Sequence, residues 1–344
     1  MTDPSVSVVI PLYNHVLFAD EAVRSVLSQD PGDVEVIVID DGSQDDSAAV
    51  VERIKDPRVR LHRQQNQGAH AAINRGLSGA RGRFLAVLNS DDRFVPGRLK
   101  AALAVFESRP DVGLVGSWIN LIDESGRSLG VKHGYQDLDP WPIRDPAETF
   151  KADHDLKTAL LLQNYWATTS NFVFRRATFE QHGPFRPLRF AHDWDFALRV
   201  QRGTAAHLIE EPLIDYRIHG SNTIRTDRPA MVFEICWILA AHVTGYLDPS
   251  FWKRGEEVRA RHLLRSIHVY GCDKVLWAMT AHIHQGPEGA ALRLLDPADG
   301  ARRVYLAEIE QILLASEGPA TVKAPVTRSS RLLDRLSSFL GRRA

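Results

Sequence analysis

The run Val6-Ser-Val-Val-Ile-Pro-Leu-Tyr-Asn14 decides the fold. Val6 to Ile10 reads as a strand, and the next segment places Phe18, Ala22, Val23, Val26 and Leu27 on one helical face. That helix is expected to cover the sheet to which the strand belongs. Further short aliphatic runs follow at Val34 to Ile39, Val59 to His62 and Arg83 to Leu88, each bounded by turn or polar residues and expected to be interior or nearly so. Strands alternating with helical patterns from Val6 to about Leu121 indicate βαβ units and a mainly parallel sheet. Ser170 to Phe174 adds a strand, His192 to Gln201 a helix, and Leu213 to Ile218 a last strand, where the sheet becomes mixed. The fold class is therefore α/β.

At 344 residues with 44% hydrophobic content, the chain can bury one substantial core and a smaller second one. Three parts are expected: residues 1–228 as the main domain, 229–316 as a helical extension, and 317–344 as a linker and tail. The formal net charge of -1, from 42 basic and 43 acidic residues, supplies no global field for nucleic acid, so no nucleic-acid partner is expected. Two cysteines, Cys236 and Cys272, are too few for a disulfide scaffold and fit a reducing cytoplasm. The start at Asp3 and Pro4 lacks a signal-peptide pattern. The longest apolar stretch, Ala230 to Leu247, contains Glu234 and His242 and reads as a buried helix, not a membrane span.

Ligands of open α/β sheets bind beyond the carboxyl ends of the strands. Here those positions carry Pro11, Leu12, Tyr13 and Asn14, then Asp40-Asp-Gly-Ser43, then Asn89-Ser-Asp-Asp92. Asp-Gly-Ser after a strand is by itself an ordinary turn or cap, and Asp91 and Asp92 could cap a helix starting near Pro96. Two carboxylate pairs on one rim repel at ~4–6 Å unless a cation compensates. Oxygen ligands favour Mg2+ or Mn2+, which take one or two carboxylates and let substrate phosphates complete the shell. Neither G-x-G-x-x-G after the first strand nor G-x-x-x-x-G-K-[ST] occurs, so a divalent cation replaces a glycine cradle as the neutraliser of a diphosphate.

These residues resemble a family-2 glycosyltransferase of the GT-A fold, inverting and non-processive. The likeness continues through Asn66-Gln-Gly68, Asn74-Arg-Gly76, His192-Asp-Trp-Asp195 and Tyr216-Arg-Ile-His219, covering about residues 5 to 225. It implies that Pro11, Tyr13 and Asp41 contact base and ribose, with Asn14, Asn74 and Asp91 in the same donor-binding set. It further implies that Asp92 binds the divalent cation (Mn2+ or Mg2+), that His219 completes the metal shell, and that Asp193 is the general base that activates the acceptor hydroxyl. Ordinary alternatives are a strand-end hydrogen bond for His219 and a helix N-cap for Asp193 or Asp195. Three positions depart from the family pattern: His192 stands where Glu is usual, Asn89 where the longer acidic motif begins with Asp, and Ile73 where Arg is common. The absent Q-x-x-R-W motif favours single transfers over polymerisation.

Residues 230–315 are expected to shape the acceptor cleft or a homodimer interface, with Trp237 and Trp277 in the core. In the tail, Leu332, Leu333, Leu336, Phe339 and Leu340 form one helical face flanked by arginines. This basic amphipathic helix docks on its own domain or a partner; the other reading is peripheral contact with the inner face of an anionic membrane. The expected partners are thus a nucleotide-diphosphate sugar, UDP-linked as the first choice, and a glycan or lipid-linked acceptor of the cell envelope. The rival readings are a nucleotidyltransferase and a non-catalytic sugar-nucleotide or glycan-binding module.

Overall fold

Val6–Leu12, every residue buried, forms strand β1, and the chain then passes through helix α1 (Ala19–Leu27), β2 (Val34–Asp40), α2 (Ser47–Glu52), β3 (Val59–Arg63), α3 (Ala69–Ser78) and β4 (Phe84–Val87). The short β5 (Arg93–Phe94) and α4 (Arg98–Ser108) lead into the long β6 (Val112–Ile122) and β7 (Ser128–Lys132). After a 3-10 turn at Thr169–Asn171 come β8 (Val173–Arg175), α5 (Arg176–His182), α6 (His192–Gly203) and β9 (Ala205–Arg217). Among the described residues four helices follow: α7 (Arg228–Leu247), α8 (Asp273–Gln285), α9 (Ala290–Arg293) and α10 (Gly300–Ser316). This computed structural model describes residues 3–30, 33–132, 160–161, 164–220, 226–247 and 267–316. The 317–344 linker and amphipathic tail lie outside the described residues.

The nine strands form one sheet in the order β3-β2-β1-β4-β8-β6-β9-β5, with β7 pairing on β6. β1 lies parallel to both β2 and β4, and β3 is parallel to β2. β8 runs antiparallel to β4 and β6, β9 parallel to β6, and β5 antiparallel to β9, so the sheet is mixed in its second half. The chain winds outward from β1 to β3 and then returns to the other side of β1 as β4. The gap between β1 and β4 is consequently a topological switch point, where a crevice opens beyond the strand ends.

Three expectations need correction. β3 is an edge strand and only half-buried, because it has a neighbour on one side alone. β6, not singled out in the sequence, is the second-longest strand and lies inside the sheet; Gly113 and Gly116 blur its apolar pattern. A Cβ at Gly116 would overlap the ring of the buried Trp166, so the glycine there makes room for an indole. Trp277 is 41% exposed, whereas Trp237 is fully buried as expected.

Alternating strand residues feed two cores. Val6, Val8 and Ile10 point to the face covered by α1 and α4, and Val9 points to the face covered by α3 and α6. The second core also takes in Val232, Phe233 and Trp237 of α7 and Leu276 of α8, so the helical extension shares a core with the sheet. Among the described residues no helix is long and apolar enough to cross a membrane. α3 packs so closely that a Cβ at Gly76 would overlap both methyls of Val9. Gly76→Ala gains about 1 kcal/mol of helix propensity against an overpacking cost of about 1–3 kcal/mol. A lowered urea midpoint is expected; a raised one would mean that α3 can move off the sheet.

Candidate functional site

The carboxyl ends of β1, β2 and β4 deliver the acidic and amide residues to one rim. Pro11 is buried within β1 opposite Ile39, and Tyr13, 44% exposed, stands on the rim beyond it. Asn14 takes a left-handed conformation (φ 53°), a region that Asn tolerates better than most residues. Its N–H donates to Ser43 Oγ at 3.1 Å and its Oδ1 accepts from Gln44 N at 2.7 Å, tying the two strand ends together. Asp41 is 3% exposed and accepts from Gln64 Nε2 (2.7 Å), Gln67 N (2.9 Å) and Gly68 N (2.8 Å). Its carboxylate thus anchors the loop leading into α3, and these donors offset its desolvation. Asn74 is committed elsewhere: its amide bonds Phe185 O and Phe185 N, both at 2.8 Å, and pins α3 to the segment ahead of α6.

The acidic turn after β4 divides its two carboxylates. Asp92 is 2% exposed and accepts from Ser170 Oγ at 2.6 Å and from Arg217 N at 2.9 Å. Burial, then the adjacent Asp91 charge, pushes its carboxyl well above the usual range. For Asp91 burial also acts upward, but the His219 hydrogen bond and the His15 charge outweigh it and hold the carboxyl below its usual value. His219 Nε2 lies 3.0 Å and His15 Nε2 3.9 Å from Asp91 Oδ2, and His15 Nδ1 lies 2.8 Å from Ser90 Oγ. Burial, more than any charge, lowers the His15 pKa and favours the neutral imidazole that binds metals. Neither aspartate caps α4, whose N-cap is Gly97.

One ligand atom from each of His15, Asp91 and His219 lies within 4.8 Å of the others. Asp92 is not in this group; its oxygens serve Ser170 and the Arg217 main chain instead. Two imidazole nitrogens with one carboxylate form a mixed donor set, in place of the oxygen-only set read from the acidic turn. Such a set fits Mn2+ better than the harder Mg2+ and leaves positions for phosphate oxygens. His15 escaped the sequence reading, and its one signal was its place at the strand-one rim directly after Asn14. Arg217 was missed as well: its Nε donates to Asp91 O (2.9 Å), its Nη1 to Asp123 O (3.2 Å) and Glu124 O (3.0 Å), and its Nη2 to Glu21 (2.5 Å). It locks the acidic turn to β9 and α1.

Asp193 lies in the first turn of α6, 6% exposed, and accepts from Asn164 Nδ2 at 2.9 Å and Trp194 N at 2.7 Å. The N-cap of α6 is Ala191, so neither Asp193 nor Asp195 holds that position. Asp195 is instead fully buried against Arg186 (2.8 Å), Arg199 (3.0 Å) and His242 (3.0 Å). Next to Asp193, His192 Nδ1 lies 3.2 Å from Leu188 O and donates to it, which leaves Nε2 as the unprotonated nitrogen. Burial lowers the His192 pKa against the opposing pull of Asp193. The segment from Asn164 to Ser170 runs from α6 to the turn after β4: Asn164 bonds Asp193, whereas Thr168 bonds Asn89 Nδ2 (3.0 Å) and Ser170 bonds Asp92.

The family model described as Glycosyl transferase family 2 matches residues 7–194. The chain belongs to glycosyl transferase family 2. A glycosyltransferase of Nostoc sp., itself uncharacterized, is 28% identical to this family-2 chain over 225 residues, which span 63% of the chain and 66%, just under two thirds, of that relative. Among solved structures, residues 1–349 of TarS from S. aureus in complex with UDP-GlcNAc align over 94% of this chain and 95% of that one, at 17% identity and a TM-score of 0.59. A mannosyltransferase from Pyrobaculum calidifontis in complex with GDP-Man and Mn2+ aligns over 92% and 89%, at 17% identity and a TM-score of 0.51. At such identities the likeness is one of fold, and the fold is GT-A: a mixed, mostly parallel sheet flanked by helices.

Proposed function

We propose that this protein is an inverting glycosyltransferase that moves one sugar from a nucleotide-diphosphate donor to an acceptor hydroxyl. The observation that carries this reading is the His15–Asp91–His219 group at the β1/β4 switch point, whose acidic turn is tied at the adjacent Asp92 to Ser170, in the segment whose Asn164 bonds Asp193 on α6. The base and ribose would lie against Pro11, Tyr13 and the loop that Asp41 anchors. Asp91, His15 and His219 would hold a divalent cation, which supplies positive charge to the departing diphosphate. Asp193 takes the proton of the acceptor hydroxyl as its oxygen bonds the anomeric carbon and the carbon–phosphate-oxygen bond breaks on the opposite face. One such displacement inverts the anomeric configuration, as in inverting glycosidases.

The donor nucleotide is uridine in the first instance. The UDP-GlcNAc of the TarS complex supports that choice, and the GDP-Man of the mannosyltransferase makes guanosine the comparison. A cell-envelope glycan or its lipid-linked precursor is the acceptor class we propose, with the chain acting in the cytoplasm, peripherally at the inner membrane face. Thermal unfolding with UDP, GDP, dTDP and CDP, each with Mn2+, Mg2+ or EDTA, tests the donor site. One nucleotide should stabilise the protein with Mn2+, by about 2.7 kcal/mol at a hundred times its Kd, and the gain should vanish with EDTA and in Asp91→Ala. Stabilisation indifferent to both would contradict the cation site, and none with any nucleotide would favour a module without turnover.

A further inference from the structure

Outside the groups that line the rim, Glu234 on α7 is a buried carboxylate whose hydrogen-bond partners are all main-chain amides of one segment. Its Oε1 accepts from Arg189 N at 2.7 Å, and its Oε2 accepts from Phe190 N at 2.7 Å and Ala191 N at 3.0 Å. Three successive main-chain amides thus converge on one carboxylate, which is only 4% exposed. They are the last three residues before α6, and Ala191, the N-cap of that helix, offers no side-chain cap. Ala191 N is one of the amides that a helix start leaves without an intrahelical acceptor, the other two belong to the residues just ahead of the helix, and an anion there also meets the positive end of the helix dipole. Glu234 supplies that anion from a helix some 40 residues further along the chain.

Eight residues after Glu234 on the same helix, His242 Nε2 bonds Asp195 Oδ1 at 3.0 Å. Eight helical residues rise about 12 Å, so α7 grips the start of α6 at two separated points. One precedes Asp193, at residues 189–191; the other follows it, at Asp195. Between them the Asp193 carboxylate has Asn164 as its side-chain partner, so its placement depends on the backbone that α7 holds. Burial raises the Glu234 pKa, and the three main-chain amides and the Arg302 guanidinium of α10, which lies 4.6 Å over the adjacent Phe233 ring, act against that rise.

We infer that Glu234 is a positioning residue for Asp193, and that the helical extension is therefore part of the transfer machinery; this rests on the reading of Asp193 as the base. Glu234 touches no reacting atom. It acts by fixing the amides from which the first turn of α6 departs, and a loss of about 1 Å in the placement of a reacting group costs on the order of a hundredfold in rate.

The experiment compares the full chain with Glu234→Gln, in which an NH2 replaces one acceptor oxygen and faces amide donors, and with Glu234→Ala. Two readouts are taken. The first is amide hydrogen exchange without substrate, where faster exchange confined to residues 189–195 is expected. The second is release of nucleoside diphosphate from the nucleotide sugar that turns over with water in Mn2+, among UDP-, GDP-, dTDP- and CDP-linked sugars. A fall in kcat of about 10- to 100-fold with KM changed less than twofold supports positioning. Exchange like that of the parent, kcat within twofold of it, or a rise in KM without a fall in kcat overturns it. Asp193→Asn is the control: if it turns over like the parent, the base reading fails and takes the catalytic half of this inference with it, whereas the exchange data still decide whether Glu234 holds α6.

Discussion

Asp193→Asn is expected to lower the rate of sugar transfer by about 10²- to 10⁴-fold, the usual worth of a positioned general base, while nucleotide binding stays within a few-fold of the parent. The amide is nearly isosteric and can keep its oxygen on Trp194 N, while its NH2 takes the place of the oxygen that accepts from Asn164, whose own amide can turn its oxygen to meet it, so the first turn of α6 need not move. What it lacks is the lone-pair basicity needed to take a proton from the attacking hydroxyl. Because Asp193 stands apart from the His15–Asp91–His219 group, the donor site should be untouched. Initial rates with donor and acceptor, alongside nucleotide-induced thermal stabilisation, separate the two effects. Equal losses of rate and nucleotide binding would mean that Asp193 serves the donor; an unchanged rate would remove it from the chemistry.

Asp195→Ala is expected to be the most destabilising single change, at about 3–5 kcal/mol, because it leaves the cations of a buried ion cluster without their counter-ion. Asp195 is fully buried and shared by Arg186, Arg199 and His242, and Arg199 is itself held by the carbonyls of His182 and Pro184. Urea unfolding should give a lower midpoint with an unchanged slope; a loss under 1 kcal/mol would show that water replaces the carboxylate. The same cluster sets an acid limit. Burial alone would raise the Asp195 pKa, but His242 and the two arginines outweigh it and hold it well below the usual carboxylate range. A depressed folded-state pKa contributes stability above the unfolded value near 4 and loses it as pH falls towards the folded one. Burial lowers the His242 pKa, so protonation below about pH 6.5 works against the fold in the same direction. Stability should therefore decline on acidification from pH 6.5, and the decline below pH 4 should flatten in Asp195→Ala.

The α/β class and the first four strands were legible because each is a short aliphatic run closed by turn residues, a local signal. β6 was not singled out, since Gly113 and Gly116 interrupt its pattern and their reason lies in Trp166 and Thr178, which pack there from distant parts of the chain. Trp277 misled for the opposite reason: its helical spacing fits a core position, but its side is not covered by the rest of the described fold. Asp91, Asp92, His219 and Asp193 were legible as polar residues at strand ends and a helix start, but their division of labour was not. Adjacent aspartates look alike in a sequence, and the direction in which each side chain points is set by Arg217, Ser170 and the two histidines.

By itself the sequence determined what local physics can encode: which runs are strands, which faces are apolar, and that acidic turns follow two of the strands. Tertiary structure decided which of those groups meet. His15 joins Asp91 and His219 only because β1 and β4 are neighbours at the switch point. Glu234 reaches the amides ahead of Asp193 only because α7 packs on α6 in a shared core. Both outcomes hang on contacts between residues scores of positions apart, whose closure entropy is offset by burial of the whole sheet face and not by any property of the residues themselves.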